Sequence, residues 1–323
     1  MRSTLLQELG RHAYLFNGKR VLVELPEGFK HLEDDLASIL EDMGADVAFR
    51  LEPSYGACET LACEASLLGF QVVVHVGHYP YPLYPITECN GVKVVYVPLR
   101  YPPNDSMVNK LASSVASVAK GLRVAVAYTP QFELIARRLY SMLKGARDVD
   151  VVDARPILGC FFYGLERLDV NAYLVLGSRF HGLGLGLAVH AEKRIILAKE
   201  TGEVDDITGF VEQVLRVRYG RVLDARDARR WGIIAGVRLG QFRPGIVERV
   251  KRILASRGFE YRVYFSARTL IRDLDSIRDV DAFVVTSCPR IAIEDASSYS
   301  RPVLTPGELY YLLGVEPRIR FPW

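Results

Sequence analysis

Three cysteines, far apart in a chain of 323 residues, carry the clearest chemical suggestion. Cys58 closes Pro53-Ser54-Tyr55-Gly56-Ala57-Cys58, Cys160 closes Ile157-Leu158-Gly159-Cys160, and Cys288 closes Val284-Val285-Thr286-Ser287-Cys288. They lie 102 and 128 residues apart, so no short metal knuckle uses them. Each ends a β-rich run and opens a loop, the position where a strand hands a side chain to a shared crevice. Three thiolates meeting there could hold three irons of a 4Fe–4S cluster and leave the fourth iron open to substrate. Two plainer readings compete: small buried hydrophobes, a common fate of cysteine, and a zinc site.

Other polar residues gather at similar places. His75 and His78 flank Val76-Gly77 at one strand end, and His181 follows Phe180 at another. Structural imidazoles bonded to backbone would look the same. The functional reading is substrate contact or proton handling near neutral pH. Gly182-Leu183-Gly184 after His181 lets backbone approach a ligand closely. Arg290, two residues beyond Cys288, suits a bidentate grip on a carboxylate, with Glu294 and Asp295 placed to hold it or to begin a helix. Gly236-Val237-Arg238-Leu239-Gly240-Gln241 is a strand-to-helix turn that lacks GxGxxG. Cys63 and Cys89 have no counterparts elsewhere and read as core or surface thiols.

These residues need a frame. Apolar β-branched runs alternate with helical spacings, which predicts a parallel sheet covered on both faces. The pattern starts at Arg20, restarts at Arg123 and restarts again near Arg230. The spacing predicts strands at 20–25, 45–51, 70–76 and 92–97, then 123–128, 149–152, 172–176 and 194–198, then 232–236, 261–265, 281–285 and 302–304. Repeats of roughly 108 residues give three homologous small α/β domains, each a mostly parallel sheet flanked by helices, around a central cluster cavity: 1–108 with Cys58, 109–218 with Cys160 and 219–323 with Cys288. Counted from the lead strands, Cys58 matches Cys160, and Cys288 matches His78 and His181.

Composition narrows the class. Half the residues are hydrophobic and 24% charged, a globular balance. With 41 basic against 38 acidic residues, the net charge of +3 gives no nucleic-acid footprint. The arginines between Val214 and Trp231 are interleaved with Asp224 and Asp227 and read as a solvated linker. No secretory leader or membrane span is expected. A reducing cytoplasm follows, where distant cysteines more often mean metal or catalysis than disulfides.

Nearly the whole chain resembles the archaeal diphthamide-biosynthesis enzymes, the 2-(3-amino-3-carboxypropyl)histidine synthases. The likeness rests on Leu25-Pro26-Glu27-Gly28, Tyr55-Gly56-Ala57-Cys58, Val74-His75-Val76-Gly77-His78, Leu158-Gly159-Cys160, Phe180-His181-Gly182-Leu183-Gly184 and Gly240-Gln241. Most specific is Thr286-Ser287-Cys288-Pro289-Arg290 through Asp295, with Leu304-Thr305-Pro306-Gly307-Glu308. The resemblance implies a homodimer with a 4Fe–4S cluster on Cys58, Cys160 and Cys288. It implies cleavage of S-adenosylmethionine between sulfur and Cγ, giving 5′-methylthioadenosine and a 3-amino-3-carboxypropyl radical. That group passes to an imidazole carbon of a histidine on translation elongation factor 2, with an electron donor supplying the reductant. His181, Gly240, Gln241 and Arg290 are the candidate S-adenosylmethionine contacts. Phe161-Phe162-Tyr163 after Cys160 is bulkier than the family pattern. Two alternatives stay open: a quinolinate-synthase-like dehydratase around a three-cysteine cluster, and a cluster-bearing partner subunit without its own turnover. A sugar- or nucleotide-binding α/β protein without metal is a third.

Overall fold

A computed structural model describes residues 2–199, 201–268, 271–294 and 298–323. The first sheet contains β1 (Arg20–Glu24), β2 (Asp46–Phe49), β3 (Val72–Val76), β4 (Glu88–Cys89) and β5 (Val92–Val97). The second contains β6 (Arg123–Tyr128), β7 (Asp150–Pro156), β8 (Ala172–Leu176), β9 (Arg194–Ala198) and β10 (Val204–Asp206). The third contains β11 (Arg230–Gly236), β12 (Glu260–Ser266), β13 (Ala282–Val285) and β14 (Val303–Leu304). The fold is therefore mixed α/β, with three mostly parallel sheets flanked by helices.

One winding serves all three. The strand orders are β2-β1-β3-β5-β4, β10-β9-β8-β6-β7 and β12-β11-β13-β14. Each sheet thus puts its second strand beside its first, then its third, then its fourth parallel strand. β4 on β5 and β10 on β9 are added antiparallel edges. The order reverses between first and third strands, which opens a crevice at their carboxyl ends. The central strands are buried on both faces, as the runs Val72–Val76 and Ala172–Leu176 require. Amphipathic helices cover them. Glu133–Leu143, for example, buries Ile135, Ala136, Leu139 and Leu143 on one stripe.

The chain divides into two compact units: Met1–Arg100 with Arg238–Gln241, and Tyr101–Val237 with Phe242–Trp323. The first holds the first sheet. The second holds the other two.

Strand register makes the repeats comparable residue by residue. Val21 lies opposite Val72, Val124 opposite Ala172, and Trp231 opposite Ala282. The interval is three residues shorter in the second sheet. His78 and Cys288 are therefore register equivalents, but their partner in the second sheet is Ser178. His181 lies one helical turn further on, inside the helix Arg179–Ala188. Equal counts from the lead strand concealed this, because the connection between β6 and β8 is shorter.

Two further expectations change. The arginine-rich run is not a solvated linker; it enters the 17-residue helix Thr208–Asp224. Arg218 on its inner face is 1% exposed, pairs with Glu308 at 2.7 Å and donates to the carbonyls of Ala292 and Val303. A charge count does not show which arginine of a helix faces inward. Cys63 and Cys89 are not thiols but a disulfide, with Cα atoms 5.0 Å apart. It ties the helix Ala62–Leu67 to the short edge strand β4, an edge pairing too weak to read from spacing.

Candidate functional site

In the first unit Cys58 sits in the 3-10 turn Ala57–Glu59, beyond β2. The turn Arg238–Gln241 packs directly on it. A Cβ on Gly240 would lie 2.4 Å from Cys58 Cα and 2.7 Å from its carbonyl oxygen, so only glycine fits. The buried Gln241 brings its Nε2 to 3.9 Å from Cys58 Sγ and 3.3 Å from Glu59 Oε1. An amide N–H aimed at sulfur favours the thiolate and is the kind of bond that tunes a cluster. Arg238 Nη1 donates to the Glu59 carbonyl at 3.4 Å and faces Glu64 at 3.6 Å. The proposed Gly240 and Gln241 contacts are thus the wall behind one of the proposed ligands. Around Cys58, the buried hydroxyls of Ser54 and Thr60 have no hydrogen-bond partner among the described residues.

In the second unit Cys160 follows β7 in a tight loop closed by the Leu158–Phe161 bridge. That loop is pressed on the helix Arg179–Ala188: a Cβ on Gly184 would lie 2.3 Å from the Gly159 carbonyl oxygen. A Cβ on Gly159 would strike the Phe180 ring at 2.0 Å. The bulky Phe161 and Tyr163 stack edge to face with each other, their centroids 4.8 Å apart. Cys288 caps the start of the short helix Pro289–Ile293, and the adjacent Ser287 hydroxyl is buried with no partner among the described residues. Arg290 is held by Glu294, Nε to Oε2 at 2.7 Å, and lies 5.2 Å from the centroid of the Phe180 ring. Asp295 lies outside the described residues.

His181 has a fixed state. The Ser178 backbone N–H donates to its Nδ1 at 3.3 Å, and the Ser178 hydroxyl lies 2.8 Å from the same atom. Burial, and then the positive charge of Arg290, push its pKa down to about 4. At neutral pH His181 is therefore an uncharged imidazole whose proton sits on Nε2, a donor beside a guanidinium.

Cys58, Cys160 and Cys288 all remain thiols, partly exposed, in loops beyond strand carboxyl ends. Thiols in that state, beside a cradle with no room for a Cβ and an amide directed at sulfur, suit the soft-ligand demands of iron–sulfur clusters. No group of three or more His, Cys, Asp or Glu able to hold a metal ion lies together among the described residues.

Sequence reading missed one feature. Glu24, the last residue of β1, is fully buried. Its Oε2 lies 2.7 Å from His75 Nδ1, its Oε1 accepts the Leu61 N–H at 2.7 Å, and Arg50 stands 3.8 Å away. His75 Nε2 lies 3.0 Å from His78 Nδ1. Burial would raise the Glu24 pKa, but the hydrogen bond and charge of His75, the Leu61 amide and Arg50 together hold it below the ordinary carboxylate range. The available signal was an acid inside an apolar strand run, which has to be paired if it is buried.

A family model of diphthamide synthesis proteins matches residues 25–321. A 2-(3-amino-3-carboxypropyl)histidine synthase of Pyrococcus horikoshii is 29% identical, over 99% of this chain and 92% of its own length. A Gallus gallus protein named as subunit 1 of that synthase is 27% identical, over 92% of this chain and 73% of its own. The crystal structure of Dph2 from Pyrococcus horikoshii with a 4Fe–4S cluster superposes with a TM-score of 0.81 at 28% identity, covering 99% of this chain and 92% of that one. No helix among the described residues is long and apolar enough to cross a membrane.

Proposed function

The chain belongs to the diphthamide synthesis protein family, and from that premise we propose that it is a 2-(3-amino-3-carboxypropyl)histidine synthase. In this reading S-adenosylmethionine is the donor, a histidine of translation elongation factor 2 is the acceptor, and Cys58, Cys160 and Cys288 are the ligands of a 4Fe–4S cluster. The carrying observation is that these three thiols, outside the one disulfide, sit beyond strand carboxyl ends in a fold shared with a cluster-bearing relative. The cluster would supply the electron that breaks the sulfur–Cγ bond.

The chain's own residues do the rest. Gly240 lets the turn close on Cys58, and the Gln241 amide supports its thiolate. Arg290, steadied by Glu294, and the neutral Nε2–H of His181 offer a charged and an uncharged donor to the donor's aminocarboxypropyl end. Such fixed contacts decide which carbon–sulfur bond faces the reductant. The three repeats, 1–108, 109–218 and 219–323, acting as a homodimer in the cytoplasm with a separate electron donor, complete the proposal. Relatives named as subunit 1 favour a second reading, in which the chain turns over only with a partner subunit.

The test uses protein purified and reconstituted without oxygen, given dithionite and S-adenosylmethionine. 5′-Methylthioadenosine is expected, and its loss in Cys288→Ala. Iron and sulfide without donor cleavage would defeat the claim for the isolated chain and point to the partner-dependent reading.

A further inference from the structure

The three sheets place different residues at one register position. Where the first strand meets the third at the carboxyl edge, the first sheet pairs Glu24 with His75. The second pairs Ala127 with Val175, and the third pairs Ile234 with Val285. The frame is thus satisfied twice by two apolar residues, all four buried. The first sheet instead buries a carboxylate and an imidazole, a costly choice that packing does not call for. The pair is also not sealed. It continues through His75 Nε2 to His78, which is only partly buried and stands at the position of Cys288 in the third sheet. Tyr96, opposite His75 on β5, and Arg50 complete the surroundings, and the Tyr96 hydroxyl is bonded to the Ile86 carbonyl. Burial first, then the charges of Glu24 and Cys58, raise the Tyr96 pKa, so it stays protonated.

Chemistry of the proposed product asks for such a chain. Joining an aminocarboxypropyl carbon to C2 of an imidazole replaces a C–H bond by a C–C bond. The sulfonium becomes a neutral thioether, the electron lent at cleavage is returned when the adduct loses its hydrogen, and one proton is released per turnover. That proton needs an acceptor. We propose that His78 takes it, backed by His75 and Glu24 as a relay running from the partly exposed edge into the core of the first unit. This rests on the synthase reading above.

The wiring is self-consistent. The carboxylate fixes the His75 proton on Nδ1, leaving Nε2 to accept from His78 Nδ1–H. A proton taken up by His78 displaces its Nδ1 proton to His75, and the resulting imidazolium faces Glu24. His78 is the base; His75 and Glu24 act through it.

The experiment counts methylthioadenosine released and groups transferred to the acceptor protein separately. In His78→Gln, transfer per donor cleaved should fall about a hundredfold or more, the lower end of what a positioned base contributes. Added imidazole should restore it in His78→Ala. The double variant Glu24→Ala/His75→Val, which installs the second sheet's own pair, should fold, keep its iron and lower the same ratio by a smaller factor. Unchanged coupling in His78→Gln, or in the double variant should His78→Gln fail to fold, overturns the relay while the synthase reading stands. A wild-type protein that cleaves no donor overturns both.

Discussion

The amino edges of the three sheets are copies of one another; the carboxyl edges are not. At the amino edge each lead strand begins with arginine: Arg20, Arg123 and Arg230. The residue just before each third strand, Gln71, Asn171 or Asp281, clasps it. The side-chain oxygens accept the arginine N–H groups at 2.7, 2.9 and 2.9 Å. Their own N–H groups return to the arginine carbonyls at 3.0, 2.8 and 2.8 Å. Opposite each arginine, the second strand begins with an acid, Asp46, Asp150 or Glu260. At the carboxyl edge the same register gives Glu24, His75 and His78, then Ala127, Val175 and Ser178, then Ile234, Val285 and Cys288. What the fold needs has been kept three times, and what differs is available for chemistry. This is the division expected of α/β sheets, whose ligands bind beyond strand carboxyl ends.

The sharpest way to break that contrast is to disturb the carboxyl side where the chain has no slack. Gly240→Ala puts a methyl 2.4 Å from Cys58 Cα, backbone that cannot turn aside. The Cys58 turn or the Arg238–Gln241 turn must move, at about 1–3 kcal/mol for an overpacked site. Iron retained per chain after anaerobic reconstitution should drop sharply, with the Gln241 amide drawn off the sulfur. Full iron content together with an unchanged unfolding midpoint would mean that the close approach does not position Cys58.

Much of this was legible in advance, for physical reasons. Buried parallel strands must be continuous apolar runs, so Val72–Val76 and Ala172–Leu176 announce themselves. Cysteines outside any short motif stand out by type alone. Less visible was anything set by three-dimensional register. The equivalence of Ser178, rather than His181, with His78 depends on a connection three residues shorter. The inward face of Arg218 depends on which side of its helix meets Glu308. The Cys63–Cys89 bond depends on a two-residue edge strand with no period to read. The amino-edge clasp had a signal, an arginine opening each lead strand and an amide or acid just before each third one, but its meaning appears only once the strands are paired.

At the amino edge, disruption should cost stability and leave the chemistry alone. Asn171→Ala removes the acceptor of the Arg123 N–H and should lose about 1 kcal/mol in urea unfolding, with iron content unchanged. A loss of iron instead would show that the two edges are not separable. The smallest effect belongs to Asp281, the one acid among the three clasps. Its hydrogen bond to Arg230 first, and the amides of Arg229 and Arg230, hold its pKa down to about 2, against an ordinary 3.8. A carboxyl lowered in the folded state stabilises above its unfolded value, and that contribution is lost as pH falls through the folded value. Asp281→Asn makes the third clasp resemble that of Asn171, keeps an acceptor oxygen and removes the charge. It should therefore cost no more than about 1 kcal/mol at pH 7, as for a largely solvated pair. The gap to wild type should close between pH 3.8 and about 2. A gap constant across that range would show that Asp281 acts through its shape alone, as the two amides do.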